Sequence, residues 1–182
     1  VTTTAPEPST QRELRLTIVV HGRPAPQGSK KYAGHRRNSA SGRISAVLVE
    51  QVKGVRPWRQ QVHAAALSAI RQFDNWRPLD GPLAADMVFT VRAKPASRPV
   101  WWPRGTRWFK HLHWRPASAP DLSKLLRSTE DALTTAQAWK DDARVVEYGH
   151  LAKYYAGDPS HPDVLPEPGA IIRLYTLPGA AA

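Results

Sequence analysis

Two hydrophobic periods alternate along this chain, and their order limits the architectures open to it. Leu14, Leu16, Ile18 and Val20 alternate with Arg15, Thr17 and Val19, the period of a half-buried strand. Over 57–73 the spacing changes. Trp58, Val62, Ala65, Ala66, Ala69 and Ile70 fall three or four apart, which predicts a helix with Pro57 in its first turn. Leu83, Ala85, Met87, Phe89 and Val91 return to the two-residue period. A second helix is expected over 122–135, with Leu125, Leu126, Thr129 and Leu133 toward the core. Asp121 is its expected N-cap, because unpaired amides and the helix dipole favour a carboxylate there. Strands are expected over 145–155 and 170–177, either side of the turn-rich segment 156–168. The last two strands can pair as a hairpin, and the long crossovers permit parallel pairing elsewhere. The expectation is an α+β (mixed α/β) single domain, a mixed sheet of about four strands with two main helices.

Segments outside this pattern are polar or basic. Residues 1–11 are aperiodic and contain proline, so a disordered leader is expected before a domain over 12–178. The loop after the first strand continues as a polar, basic stretch to about residue 47. Residues 94–119 form a Pro-rich connection in which Trp101, Trp102, Trp108 and Trp114 are interleaved with Lys94, Arg98, Arg104, Arg107, Lys110 and Arg115. Loops of that length in a compact domain are uncommon and often functional. These residues can stack on splayed bases and contact phosphates, or two of the tryptophans can simply cover the core.

Lys and Arg number 26 against 15 Asp and Glu, a formal surplus of +11. Such a surplus favours polyanions, since each neutralised phosphate releases condensed counterions, and nucleic acid is the leading partner. No apolar run approaches the roughly 20 residues that span a bilayer. The first residues also lack an apolar signal core, so no membrane and a cytoplasmic location are expected. The absence of cysteine excludes disulfides, thiolate catalysis and Cys-ligated zinc, leaving oxygen or imidazole ligands for any metal. The spacing of the histidines, His111 and His113 included, matches no metal-ligand pair.

Against this basic background, acids gather around the second helix: Asp121 before it, Glu130 and Asp131 within it, Asp141 and Asp142 beyond it. Carboxylates at two separated points suit Mg²⁺, which prefers oxygen ligands and keeps several waters. Such an ion polarises a phosphoryl oxygen and lowers the pKa of bound water. The same acids also read as a helix cap and two turn residues. Lys124 and Arg127 likewise have two readings. They can neutralise charge on a pentacoordinate phosphate, or pair along the helix with Glu130 and Asp131.

The segment Pro120-Asp121-Leu122, with Arg127, Asp131-Ala132-Leu133 and the run Trp139-Lys140-Asp141-Asp142-Ala143-Arg144-Val145-Val146, resembles the signature of RusA-type Holliday-junction resolvases. Gly22-Arg23-Pro24-Ala25-Pro26-Gln27-Gly28-Ser29-Lys30 is similar to that family's opening loop, and Trp58-Arg59 and Lys153 fit its later pattern. The likeness is scattered over about 14–155 and dense over 120–155. It implies a small, homodimeric, Mg²⁺-dependent endonuclease (Mn²⁺ serving as a substitute) of phages and prophage-bearing bacteria, resolving four-way DNA junctions by paired nicks. It also implies Asp121 and Asp142 as metal ligands with Asp141 beside them, Arg127 at the family's basic position, and Asp131 at a matching acidic one. Expected DNA contacts are Lys30, Lys31, Lys124, Lys153, Arg104 and Arg107.

One position departs from the family. Its Asp-x-Asp-Asn or Asp-x-Asp-Lys is here Asp121-Leu122-Ser123-Lys124, so the second aspartate is a serine. Glu130 and Asp131 are the candidate replacement acids. Glu130 shares a helix face with Ser123 but lies about 10 Å further along the axis. Two readings follow: an active junction endonuclease, or a branched-DNA-binding protein left catalytically weak or inactive by Ser123. The first rests on the expectation that Asp121 and Asp142 meet at one divalent ion.

Overall fold

The computed structural model describes residues 12–28, 30–37, 44–50, 54–109 and 114–178, apart from the side chains of 30–34, 36, 37 and 45–50. Residues 1–11, expected to form a leader, lie outside the described set. The first alternation forms β1 (Glu13–His21), in which Leu16, Ile18 and Val20 are buried between exposed neighbours. The basic stretch expected to be a loop instead contains β2 (Lys30–Arg37) and β3 (Ile44–Glu50), an antiparallel pair forming its own two-stranded sheet. Lysines and arginines in the first of these strands mask its period. The second, ISAVLVE, is rich in the β-branched residues that favour strands.

Next come α1 (Val55–Ile70), β4 (Leu83–Arg92), α2 (Leu122–Thr135), β5 (Val145–Tyr155) and β6 (Gly169–Thr176). Each overlaps the element its sequence period indicates. The main sheet runs β1-β6-β4-β5, with β4 and β5 parallel and the other neighbours antiparallel. It is a mixed four-stranded sheet with two helices, the expected α+β class.

The expected hairpin between the last two strands is not present. α2 is the crossover that returns the chain to β5 in parallel with β4, and β6 then inserts between β1 and β4. Segment 156–168 carries the chain across the end of β4. Ala156 donates its amide to Arg92 O at 2.8 Å, and Leu165 donates its amide to Thr90 Oγ1 at 3.0 Å. Arg173 of β6 fixes that segment by a two-pronged ion pair with the buried Asp163. β4 is central and buried on both faces, which explains why its sequence is apolar almost throughout.

One face of the sheet carries the main core. Leu16, Ile18, Met87, Phe89, Ile172 and Leu174 meet Trp58 and Val62 of α1 and Leu125 and Leu133 of α2. Burying each such large side chain contributes about 1.5–3 kcal/mol. Val88, Ala152 and Tyr154 form a smaller cluster on the opposite face, roofed by Val164. The two helices are also bonded directly. The fully buried Trp58 donates its indole N–H to Thr129 Oγ1 at 3.1 Å, and Arg59 pairs with Asp131. Residues 58 and 59, which fit the family pattern, therefore fix α1 against α2.

Candidate active site

The loop after β1 lies along α2 because hydrogen bonds hold it there. Gly22 turns the chain with φ +125°, a conformation glycine adopts without steric cost. Ala25 is buried, and its carbonyl accepts from Ser128 Oγ at 2.7 Å. Gln27 donates its amide to Lys124 O at 2.9 Å. Loop and helix together border an open cleft of about 830 Å³, lined by Gln27, Gly28, Ser123, Lys124, Leu126, Arg127 and Glu130. Ser123, Arg127 and Glu130 follow one another at i, i+4 and i+7, the spacing of a single helix face. Leu126, expected in the core, is only partly buried and forms part of this wall.

Just beyond one end of the cleft lining stands Asp121, the partner of the lining residue Lys124. It occupies the N-cap position in extended conformation, but its side chain makes no capping bond. Instead its Oδ2 accepts from Lys124 Nζ at 2.9 Å. That bond, with the further attraction of Lys124 and then Lys153, holds the Asp121 carboxyl below the usual aspartate value. Lys153 of β5 points its ammonium at the chain preceding α2, donating to Ser118 O at 2.6 Å and Pro120 O at 2.7 Å. Burial lowers its pKa, and Asp121 opposes that shift. Lys124 and Lys153, expected at DNA, thus hold the start of α2.

At the other end stands Glu130. It is half-buried and accepts a hydrogen bond from Tyr148 Oη of β5. Burial raises its pKa. The Tyr148 bond opposes this, the Asp142 and Asp131 charges add to it, and Arg127 counteracts them. Tyr148 is itself held neutral by burial, by its bond to Glu130, and by the charges of Glu130 and Asp142. Asp142 opens the 3₁₀ turn Asp142–Arg144, and Asp141 caps that turn by accepting from Ala143 N at 2.8 Å. Below the turn, Asp80 takes Lys140 and Arg144 together. Trp139, fully buried and donating to Thr134 Oγ1 at 2.7 Å, fixes the approach to it.

The site residues therefore fall into two groups. Asp142, Tyr148 and Arg127 each act on Glu130, whereas Asp121 is engaged by Lys124 and Lys153. Asp121 and Glu130 are nine residues apart on α2, roughly 13 Å of helix rise. Asp131 turns to Arg59 of α1 rather than to Arg127. Arg104 and Arg107 are exposed in the loop before α2, with the Arg107 guanidinium 5.2 Å from the centre of the Phe109 ring. Lys30 and Lys31 open β2, but their side chains lie outside the described residues. Tyr148 and Gln27 were not singled out from sequence. Tyr148 had a usable signal, as the residue of β5 whose pairing partner, Ala85, faces the helices.

Among the described residues, no three His, Asp or Glu side chains converge as a metal cluster. Asp142 lies near enough to Glu130 for its charge to raise the Glu130 pKa. The shielded Oε1 of Gln27 has no donor among the described residues and belongs to the same cleft wall. One or two carboxylates completed by water and substrate phosphate make an ordinary Mg²⁺ site, so this donor set fits a hard divalent cation.

The family model for Endodeoxyribonuclease RusA matches residues 21–161. The chain belongs to the RusA endodeoxyribonuclease family. Within this RusA domain, the matched span runs from the end of β1 past β5 and includes every site residue named above. No curated protein gives a significant match to the chain.

Proposed function

We propose that this RusA-family chain is a divalent-metal-dependent endodeoxyribonuclease that resolves four-way junctions in DNA by paired nicks, working as a homodimer. The supporting observation is that Glu130, on the wall of the cleft with Arg127, lies under the charge of Asp142, in a protein with a surplus of +11 charges. Glu130 and Asp142 are the residues that hold Mg²⁺ or Mn²⁺, with Gln27 at the margin. The cation supplies charge neutralisation at the scissile phosphate and makes water acidic enough to serve as nucleophile. Arg127, one helical turn from both Ser123 and Glu130, clamps a non-bridging phosphate oxygen and stabilises its growing charge. Tyr148 orients Glu130 through its hydrogen bond. Asp121 and Lys124 close the far end of the cleft, and Asp121 joins the metal only if Lys124 releases it. A dimer is proposed because symmetric nicks on opposing strands need two such clefts.

A second reading has one specific observation in its favour. Ser123 lines the cleft where the family's second aspartate is expected, so the site carries one negative charge fewer than its relatives. On that reading the protein binds branched DNA with weak or no cutting. A synthetic four-way junction incubated with the protein and Mg²⁺ or Mn²⁺ separates the two. The endonuclease reading expects symmetric nicks that fall at least about 100-fold in Asp142→Asn, the size of effect seen when a charge-stabilising group is removed. Salt-sensitive binding without nicks, together with cleavage that appears in Ser123→Asp, supports the second reading.

A further inference from the structure

We propose that the tryptophan cluster of the loop between β4 and α2 is a stacking platform for unpaired DNA bases, placed beside the Asp121 end of the cleft. This rests on the DNA-nuclease reading and adds to it a place where a strand opened at a branch point is held. Trp101, Trp102 and Trp114 form a mutually packed trio, with ring centroids 5.4 to 5.8 Å apart. Trp114 is buried and stands edge-on to Tyr155 at the end of β5, with centroids 4.8 Å apart. Trp101 and Trp102 remain partly exposed on top of it. The trio is therefore a packed aromatic shelf with a buried base and a partly exposed edge.

Two further observations indicate what it takes. The tryptophans of the protein body satisfy their indole N–H groups internally: Trp58 on Thr129, Trp76 on Gln137 O, and Trp139 on Thr134. By contrast, the shielded indole N–H groups of Trp102, Trp108 and Trp114 have no acceptor among the described residues. Indole is a donor only, and an unmatched buried donor costs free energy, so this cluster lacks the internal bonding of a purely structural one. The charge carried by the loop itself is also of one sign. No Asp or Glu occurs between Asp86 and Asp121, while Lys94, Arg98, Arg104, Arg107 and Arg115 all fall in that span. Lys94 Nζ lies 5.3 Å from the centre of the Trp114 ring. Aromatic faces on a loop whose own charges are all cationic match a single strand: bases stack while phosphates meet the cations.

Location ties the shelf to the cleft. Tyr155, under the trio, is two residues beyond Lys153, whose ammonium holds the carbonyls just before Asp121. On the other side, Arg92 donates to Ser118 Oγ at 2.8 Å, bracing the same connection. A base seated on Trp101 and Trp102 thus places its strand next to the start of α2.

The test measures binding, without metal, of the full chain to three probes of equal length: an oligothymidylate strand, the same strand with abasic sites, and a linear duplex. The abasic strand keeps the phosphates and removes the bases. The platform predicts roughly 10-fold or greater loss of affinity from thymidylate to abasic strand. It also predicts a similar loss for thymidylate in the Trp101→Ala/Trp102→Ala pair, with duplex affinity within about twofold of the parent. The Trp101→Phe/Trp102→Phe pair, which keeps aromatic faces, should retain most of the thymidylate binding. Equal affinity of the parent for the abasic and base-bearing strands overturns the proposal, whether or not the variants fold. So does an alanine pair that binds thymidylate like the parent, or loses duplex binding equally. Nicking is absent from this assay, so failure here leaves the nuclease reading intact, and a protein that never nicks can still show the platform.

Discussion

Glu130 is the residue whose environment and sequence character differ most. In the sequence it is one acid on a mixed-charge helix; in the fold it is half-buried, bonded to Tyr148, and under the charge of Asp142. Its raised pKa has a definite sign for stability. The folded state holds that proton more tightly than the unfolded chain, so the group's contribution is fully present below the ordinary glutamate value of 4.5. It is lost as pH rises through the folded value. Glu130→Gln cannot ionise and escapes that loss. The variant should therefore melt no lower than the parent at neutral pH in chelator, and its advantage should grow between pH 4.5 and 7. Added Mg²⁺ should raise the melting temperature of the parent and leave the variant unmoved, because only the parent has the carboxylate pair. A variant that melts well below the parent in chelator contradicts the burial argument. The sequence placed Glu130 among the candidate acids but not its partner. Tyr148 comes from another element, and the contact depends on how α2 lies on the sheet, which spacing along one helix does not encode.

The elements show where periodicity was sufficient. All six period-based segments formed, because alternation and three-to-four spacing record which side faces the core. β2 and β3 were missed since Lys30, Lys31, Arg36 and Arg37 made a strand look like a charged loop. The place of β6 was missed for a different reason. Neighbourhood in sequence suggests pairing with β5, whereas the parallel β4–β5 contact leaves the other edge of β4 for β6. The pin on that arrangement is Arg173 against Asp163. Arg173 holds the buried Asp163 carboxyl below its ordinary 3.8. A depressed folded pKa means this stabilisation is present above 3.8 and lost as acid titrates the folded carboxylate. Asp163→Asn should cost about 1–3 kcal/mol in denaturant unfolding at pH 7, the range for a hydrogen-bonded charge left without its partner. The difference from the parent should start to shrink below about pH 4, where the unfolded chain takes up the proton, and go on shrinking as the folded carboxylate is titrated. A deficit that stays constant into acid would mean that packing, not the ion pair, sets the cost.

As a whole the molecule is a basic sheet-and-helix body whose acids are mostly committed to arginines and lysines. Asp80, Asp121, Asp131 and Asp163 all have cationic partners. Its excess of positive charge should therefore be expressed toward DNA. Junction affinity is expected to fall with salt at a log–log slope of about −4 or steeper, corresponding to four or more neutralised phosphates. A slope near zero would remove the electrostatic basis of binding. Whether Asp121 and Asp142 share an ion depends on how the two ends of α2 lie relative to each other, which helix periodicity does not encode. In the fold Lys124 and Lys153 act on Asp121, and Asp142 acts on Glu130.

Glu130 and Asp142 are proposed to hold the cation that cuts DNA, and the Mg²⁺-dependent nicking rate of Glu130→Gln on a four-way junction tests this most directly. The parent should nick, and the variant should lose at least about 100-fold while binding the junction as tightly in chelator. A variant that nicks at the parental rate would show that the cation sits elsewhere, and the cleft described here would not be the active site.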